Sequence, residues 1–298
     1  MRNAIKHAYR ATLLLCCVVF NTHALYAQQG TAAAPAVSPT PGATAGKQPA
    51  PLDIRARATE RAIDDSIPDD PAVNTMLAPY KGKVRELDNP IGKLEGDLTK
   101  DGMGGGSLGN FVADALRMRA QARLGKPVLL AVINSSGLRK SSIPAGTIST
   151  SDIYQLLPFE NALVTLDLTG EQLRRFLDLT VARRDAQSGA WITYRANAEK
   201  KNEIVSVKLG DAGAGKELDP KATYTIVTID YLVKRGGDYS VLQEAKNMRE
   251  LGLTMRDAVI DYVKAEATAG RHVRATLDGR FKYDRSDPAK KPDEEEPG

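Results

Sequence analysis

Leu108, Phe111, Val112, Ala115 and Leu116 recur at the i, i+3, i+4, i+7, i+8 spacing of a helix with one face on a core, and Ser107 stands where it would cap that helix. Past Gly125 the period changes: Val128 to Ile133 is an unbroken apolar run, the mark of a strand buried on both faces. The switching then repeats. Residues 162–168 alternate as a strand does, and Thr169-Gly170-Glu171-Gln172 is a capping box that opens a helix reaching about Val181. Strands follow near 191–195, 203–209 and 223–229, and Thr254 caps a last helix carrying Met255, Ala258, Val259, Tyr262 and Val263. Upstream, 53–65 and 71–86 read as helical, the second interrupted at Pro79. Helices and strands interleaved in this way exclude a bundle or a sandwich. They predict one mixed α/β domain, with mixed sheets flanked by helices, over residues 52–283.

The flanks read differently. Residues 28–51 are Ala, Pro, Thr and Gly with almost no large apolar side chain, a composition that cannot offset the entropy lost on folding, and are expected to be a flexible linker. Residues 284–298, with Lys290, Lys291 and the acidic run Asp293 to Glu296, read as a solvated tail. Residues 1–27 combine Arg2, Lys6 and Arg10 with an apolar stretch from Ala11 to Phe20 and a small residue at Ala27, the pattern of an export signal. About ten apolar residues fall short of the roughly twenty that span a bilayer, so no membrane span is expected once the leader is removed. The protein is expected to be periplasmic or secreted. Both cysteines, Cys16 and Cys17, lie in the leader, which leaves no disulfide framework.

Charge and histidine usage narrow the chemistry. The formal net charge is +4, and the leader holds three of those positive charges, leaving about +1; a nucleic-acid binder needs a concentrated excess of Lys and Arg. Of three histidines, His7 and His23 lie in the leader and only His272 follows it. A catalytic zinc or two-metal phosphoesterase centre draws on several imidazoles, and a Ser-His-Asp or Cys-His nucleophile needs one in a formed site. His272 lies in a polar, Arg-rich stretch and reads as a surface residue. No catalytic residue, metal ligand or cofactor is therefore assigned to this chain.

Four segments stand where elements end and backbone becomes free for a ligand. They are Ser107-Leu-Gly-Asn110 with the following FVADAL, Asn134-Ser-Ser-Gly-Leu-Arg139, Leu157-Pro-Phe-Glu-Asn161, and Tyr231-Leu-Val-Lys-Arg-Gly-Gly-Asp238. In order and separation they resemble the C-terminal domain of the 5'-nucleotidases, whose patterns are close to LGN-x-x-x-DA, N-x-GG-I-R, PF-x-N and a late aromatic followed by GGD. The resemblance covers about Pro71 to Lys282. It implies the nucleotide-binding half of enzymes that remove phosphate from nucleotides, without the N-terminal metallophosphatase domain, whose GNH motif and ligand histidines are missing from this sequence.

Residue by residue, the resemblance implies that Phe159 and Tyr231 sandwich the nucleobase, that Asn161 contacts the base edge, and that Asn134 and Arg139 face the ribose and phosphate. It also implies that Asp238, after Gly236 and Gly237, binds ribose hydroxyls. These types suit the tasks: aromatic faces stack on bases, an amide offers both donor and acceptor, and a guanidinium fork matches an anion. Taken without their motifs, the two aromatics fit equally an ordinary core or rim role, and Gly236-Gly237-Asp238 a simple turn.

The sequence also departs from the pattern. Gly102 stands where the family has an arginine that helps to hold the nucleotide, Ser135 and Ser136 replace glycines, and Tyr239 stands where GGDG has its last glycine. With Gly102 in that place, only a small preference for AMP over adenosine is expected. Two readings follow. One is the substrate-binding half of a split 5'-nucleotidase, completed by a separately encoded metallophosphatase that supplies the divalent metals. The other is a non-catalytic exported module for a nucleoside or nucleotide, or a domain kept for its scaffold.

Overall fold

The computed structural model describes Glu60, Asp64, residues 66–210 and residues 215–286, and the unit treated below begins at Pro68. The expected leader, linker and tail lie outside the described residues, as does nearly all of the helix expected at 53–65.

The elements alternate as the periodicity requires. Helix α1 (Pro71–Leu87) leads into short strands β1 (Pro90–Leu94) and β2 (Leu98–Thr99), then helix α2 (Gly106–Leu124) and strand β3 (Leu130–Ile133). Strands β4 (Ser142–Ile143) and β5 (Gly146–Ser149) precede helix α3 (Thr150–Leu156), strand β6 (Ala162–Thr169) and helix α4 (Gly170–Ala182). Next come β7 (Ala186–Ser188), β8 (Ala190–Ala196), β9 (Asn202–Leu209), β10 (Lys216–Glu217) and β11 (Thr223–Ile229). The order closes with helix α5 (Asp230–Arg235), β12 (Lys246–Thr254), helix α6 (Met255–Thr268) and β13 (Phe281–Tyr283).

The main sheet has the order β12-β6-β11-β3-β7; β3 and β11 run parallel and every other pair is antiparallel. The second sheet, β10-β9-β8-β13, is antiparallel except for β13 beside β8. Both are mixed sheets, as the sequence reading expected. All four residues of β3 are buried, and α2 packs between them and α6, with Leu108, Phe111, Val112, Ala115 and Leu116 each at most 1% exposed. The Thr169/Gln172 capping box is formed, and Thr254 makes a second with Asp257.

Two local expectations are corrected. Ser107 is not the cap of α2: the cap is Gly105, two residues earlier, and the Ser107 hydroxyl instead accepts from the Thr99 N–H at 2.9 Å, fastening the helix to β2. Pro79 does not interrupt α1. No residue of that helix is buried, so the Thr75 carbonyl, which Pro79 cannot serve with an N–H, is open to water. α1 presents Val73, Met76, Leu77, Tyr80 and Val84 to solvent.

The entry to α2 is a tight turn built on glycine. Gly104, Gly105 and Gly106 all have φ between 62° and 72°, and a Cβ on Gly106 would strike the carbonyls of Thr99 and Asp101. Gly106→Ala therefore meets backbone that cannot swing away while itself held in the left-handed region. It is expected to cost about 2–4 kcal/mol, read as a lower urea midpoint at unchanged m-value.

Candidate functional site

The strand directions bring the motifs together. β3 and β11 end at the same edge of the main sheet, because they are parallel; β6 and β7, antiparallel to them, begin there, with Leu163 opposite Ile229 and Ala186 opposite Ile133. That edge carries Asn134 after β3, Asp230 and Tyr231 after β11, Asn161 before β6 and Asp185 before β7. The backbone ladder between β3 and β11 joins only Ile226 to Leu130 and Val227 to Ala131; beyond it the Thr228 hydroxyl donates to the Val132 carbonyl at 2.7 Å. Carboxyl ends of parallel neighbours in an open sheet are where ligands ordinarily settle.

Hydrogen bonds tie the segments to one another. The Ala162 N–H donates to the Asp230 carboxylate at 2.9 Å, holding the Phe159–Asn161 segment beside Tyr231. The Arg139 N–H donates to the Leu156 carbonyl at 2.9 Å, and its guanidinium lies 5.7 Å from the centre of the Phe159 ring. Phe159 and Tyr231 are 46% and 43% exposed, and neither makes a ring-to-ring contact among the described residues. Asn134 is buried, with its amide donating to the Ser136 hydroxyl at 2.9 Å; Asn161 is half-buried and accepts the Met255 N–H at its carbonyl. Gly236 and Gly237 both have φ of 59°, and Asp238 forms an ion pair with Arg183.

Sequence reasoning missed the group that fastens these loops. Asp185 is 3% exposed and accepts the Tyr239 hydroxyl at 2.6 Å and the Ser135 N–H at 3.2 Å, while the Ser135 hydroxyl donates to the Arg184 carbonyl at 2.6 Å. Ser135 and Tyr239, two of the departures from the family pattern, thus meet on one carboxylate. The glycine run that holds another departure, Gly102, is close by, since a Cβ on Gly105 would lie 3.2 Å from the Ser135 hydroxyl. Burial raises the Asp185 pKa to about 6 against the pull of the Tyr239 and Ser135 hydrogen bonds and of Arg183 and Arg235. Burial, helped by Asp185, likewise pushes the Tyr239 phenol up. The Asp185 signal was present as an acid in the run Ala182-Arg-Arg-Asp-Ala186, which reads as solvated.

A separate cavity of about 400 Å³ lies among α2, α6 and β8, walled in part by Asp114, Arg117, Trp191, Tyr262, Asp278 and Arg280. Its charges are engaged with one another: Arg280 reaches both oxygens of Asp114 at 2.9 and 3.0 Å and Asp278 at 2.6 Å. None of Asn134, Arg139, Phe159, Asn161, Tyr231 and Asp238 lines it, although Asp114 belongs to the first motif. Among the described residues no three His, Cys, Asp or Glu side chains gather closely enough to hold a metal ion, and no helix is long and apolar enough to cross a membrane. His272 is exposed.

The sequence model of the family described as "5'-nucleotidase, C-terminal domain" matches residues 86–244, more than half of the chain. Protein UshA of Yersinia enterocolitica is 30% identical over 208 residues, which are 66% of this chain and 35% of that protein. A 5'-nucleotidase of Vibrio cholerae is 28% identical, covering 70% of this chain and 37% of its own length. Among solved structures, a 5'-nucleotidase precursor from Thermus thermophilus superposes with a TM-score of 0.61 at 26% identity, over 71% of this chain and 43% of that one. The match spans less than half the length of each.

The raised pKa of Asp185 fixes the sign of a pH effect. A carboxyl that holds its proton more tightly folded than unfolded stabilises the fold at low pH, and that contribution is lost as pH rises from about 4 to about 6. The stability difference between wild type and Asp185→Asn should therefore shift against the wild type by on the order of 2–3 kcal/mol between pH 4 and pH 7. Urea titrations of both proteins at these two pH values measure it, and a constant difference would contradict the burial argument.

Proposed function

The chain belongs to the 5'-nucleotidase C-terminal domain family, and from that membership we propose that it is the nucleotide- or nucleoside-recognition domain of a phosphohydrolase acting in nucleotide catabolism. The observation that carries this reading is the meeting, at one edge of one sheet, of two half-exposed aromatic rings with the segments bearing Asn134, Arg139, Asn161 and Asp238.

A base stacked on Phe159 and Tyr231 covers apolar surface that the free protein leaves in water, and Asn161 at its edge supplies a donor and an acceptor. The ribose hydroxyls reach Asp238, whose turn is formed by Gly236 and Gly237. Arg139 addresses the ribose or the phosphate beyond it. Cleavage of a phosphate ester needs metal ions that activate water and neutralise charge, and these belong to a separate metallophosphatase exported to the same compartment; this chain binds and orients the substrate for it. Gly102, exposed and without a side chain, favours the second reading, an exported binding module with no catalytic partner.

Both readings require the base clamp, and calorimetry tests it. Adenosine and AMP should bind the wild-type chain, and Phe159→Ala should weaken both alike by about fivefold to 150-fold, since stacking on an aromatic ring contributes about 1–3 kcal/mol per base. Absence of adenosine and AMP binding by the wild type would remove the ligand site and leave only the scaffold. Rigorously purified chain supplied with magnesium, manganese or zinc should release no phosphate from AMP. Chelator-sensitive turnover would refute a separate catalytic partner.

A further inference from the structure

Arg183 and Arg235 belong to no motif position that identified the site, yet both lie against Tyr239. The Arg183 guanidinium is 5.3 Å from the centre of that ring and the Arg235 guanidinium 5.9 Å, with Arg235 also 5.8 Å from the ring of Tyr231. Tyr239 is a fixed platform: it is 1% exposed and its hydroxyl is held by Asp185. Asp185 also attracts both guanidiniums, which offsets the repulsion between two cations gathered on one ring.

Arg235 is exposed and makes no hydrogen bond or ion pair among the described residues, so its five N–H donors are free while two aromatic faces hold its position. Arg183 is engaged by the Asp238 carboxylate. If a ribose takes that carboxylate, Arg183 is released, and both guanidiniums packed on Tyr239 become available to an anion, Arg235 beside the ring on which the base would stack.

We propose that Arg235, together with Arg183, is a phosphate-binding subsite for the ligand stacked on Tyr231, replacing the charge missing at Gly102. It rests on the reading of the sheet edge as a nucleoside clamp. The ligand class is a nucleoside carrying at least one phosphate, and the small preference for AMP expected from Gly102 becomes a large one. Arginine suits the role better than lysine because its planar fork meets two oxygens of one phosphate while its flat face stays on the ring.

Calorimetry in phosphate-free buffer tests this on the wild-type chain, Arg235→Ala, Arg235→Lys and Arg183→Ala, with adenosine, AMP and inorganic phosphate as probes. Wild type should bind AMP at least tenfold more tightly than adenosine. Arg235→Ala should remove most of that ratio while adenosine binding is retained, Arg235→Lys should restore it only in part, and Arg183→Ala should lower it. Adenosine binding with an AMP ratio that Arg235→Ala leaves unchanged would overturn the subsite and spare the clamp. Phosphate binding that Arg235→Ala abolishes, in a protein that ignores adenosine, would support an anion subsite and overturn the clamp. Binding of none of the three probes would overturn both.

Discussion

The carboxylate of Asp185 holds the sheet edge in one arrangement. A buried charge that found no partners would cost several kcal/mol, so the fold either neutralises it or surrounds it with donors and cations. Here it does the second, with a phenol from the segment after β11, a backbone N–H from the loop after β3, and two guanidiniums nearby. A hydrophobic residue at 185 could pack, but it could not bond to both loops at once. The raised pKa is the physical sign that the bridge is held at an energetic cost. Groups held at such a cost cluster where a site needs fixed geometry.

The loops bridged in this way sit where they do because of strand direction. Had β3 and β11 been antiparallel, Asn134 and Tyr231 would stand at opposite ends of the sheet. The glycine run before α2 matters for the same reason. By entering its helix through three residues of positive φ, the chain brings Gly105 against Ser135 and packs the start of α2 under the loop that carries Asn134 and Arg139.

Much of this was legible in the sequence where the physics is local. A capping box is a contact between residues three apart, so Thr169 with Gln172 and Thr254 with Asp257 can be read directly. The strands of seven or eight residues show their period. Of those of two to five residues, β3 shows as an unbroken apolar run, whereas β1, β2, β4, β5, β7, β10 and β13 are too short to have a period, and their pairing is set by what lies across the sheet; the nine-residue β12 was missed because Leu251 is its one buried residue. The site motifs were legible because each follows or precedes a periodic element. Asp185, Arg183 and Arg235 were not, since a charged residue at or just past the end of a helix looks the same whether water or a buried phenol faces it. Tyr239 misled in another way: set against a pattern that wants glycine it reads as a loss, and only its hydrogen bond to Asp185 shows that it supports the site.

The resting arrangement also bears on how a planar ligand would enter. Phe159 and Tyr231 each have an arginine near the ring and roughly two-fifths or more of their surface in water, so neither ring is stacked on the other or covered by the core. An exposed cation–π contact is worth about 0.5–1 kcal/mol, less than the roughly 1–3 kcal/mol of stacking a base on the same ring. Exchange of guanidinium for base is thus downhill at either ring, and the displaced guanidinium remains within a side chain's reach of whatever the nucleoside carries. If a base does stack there, the guanidinium it displaces stays at the place where a phosphate on that nucleoside would bring negative charge.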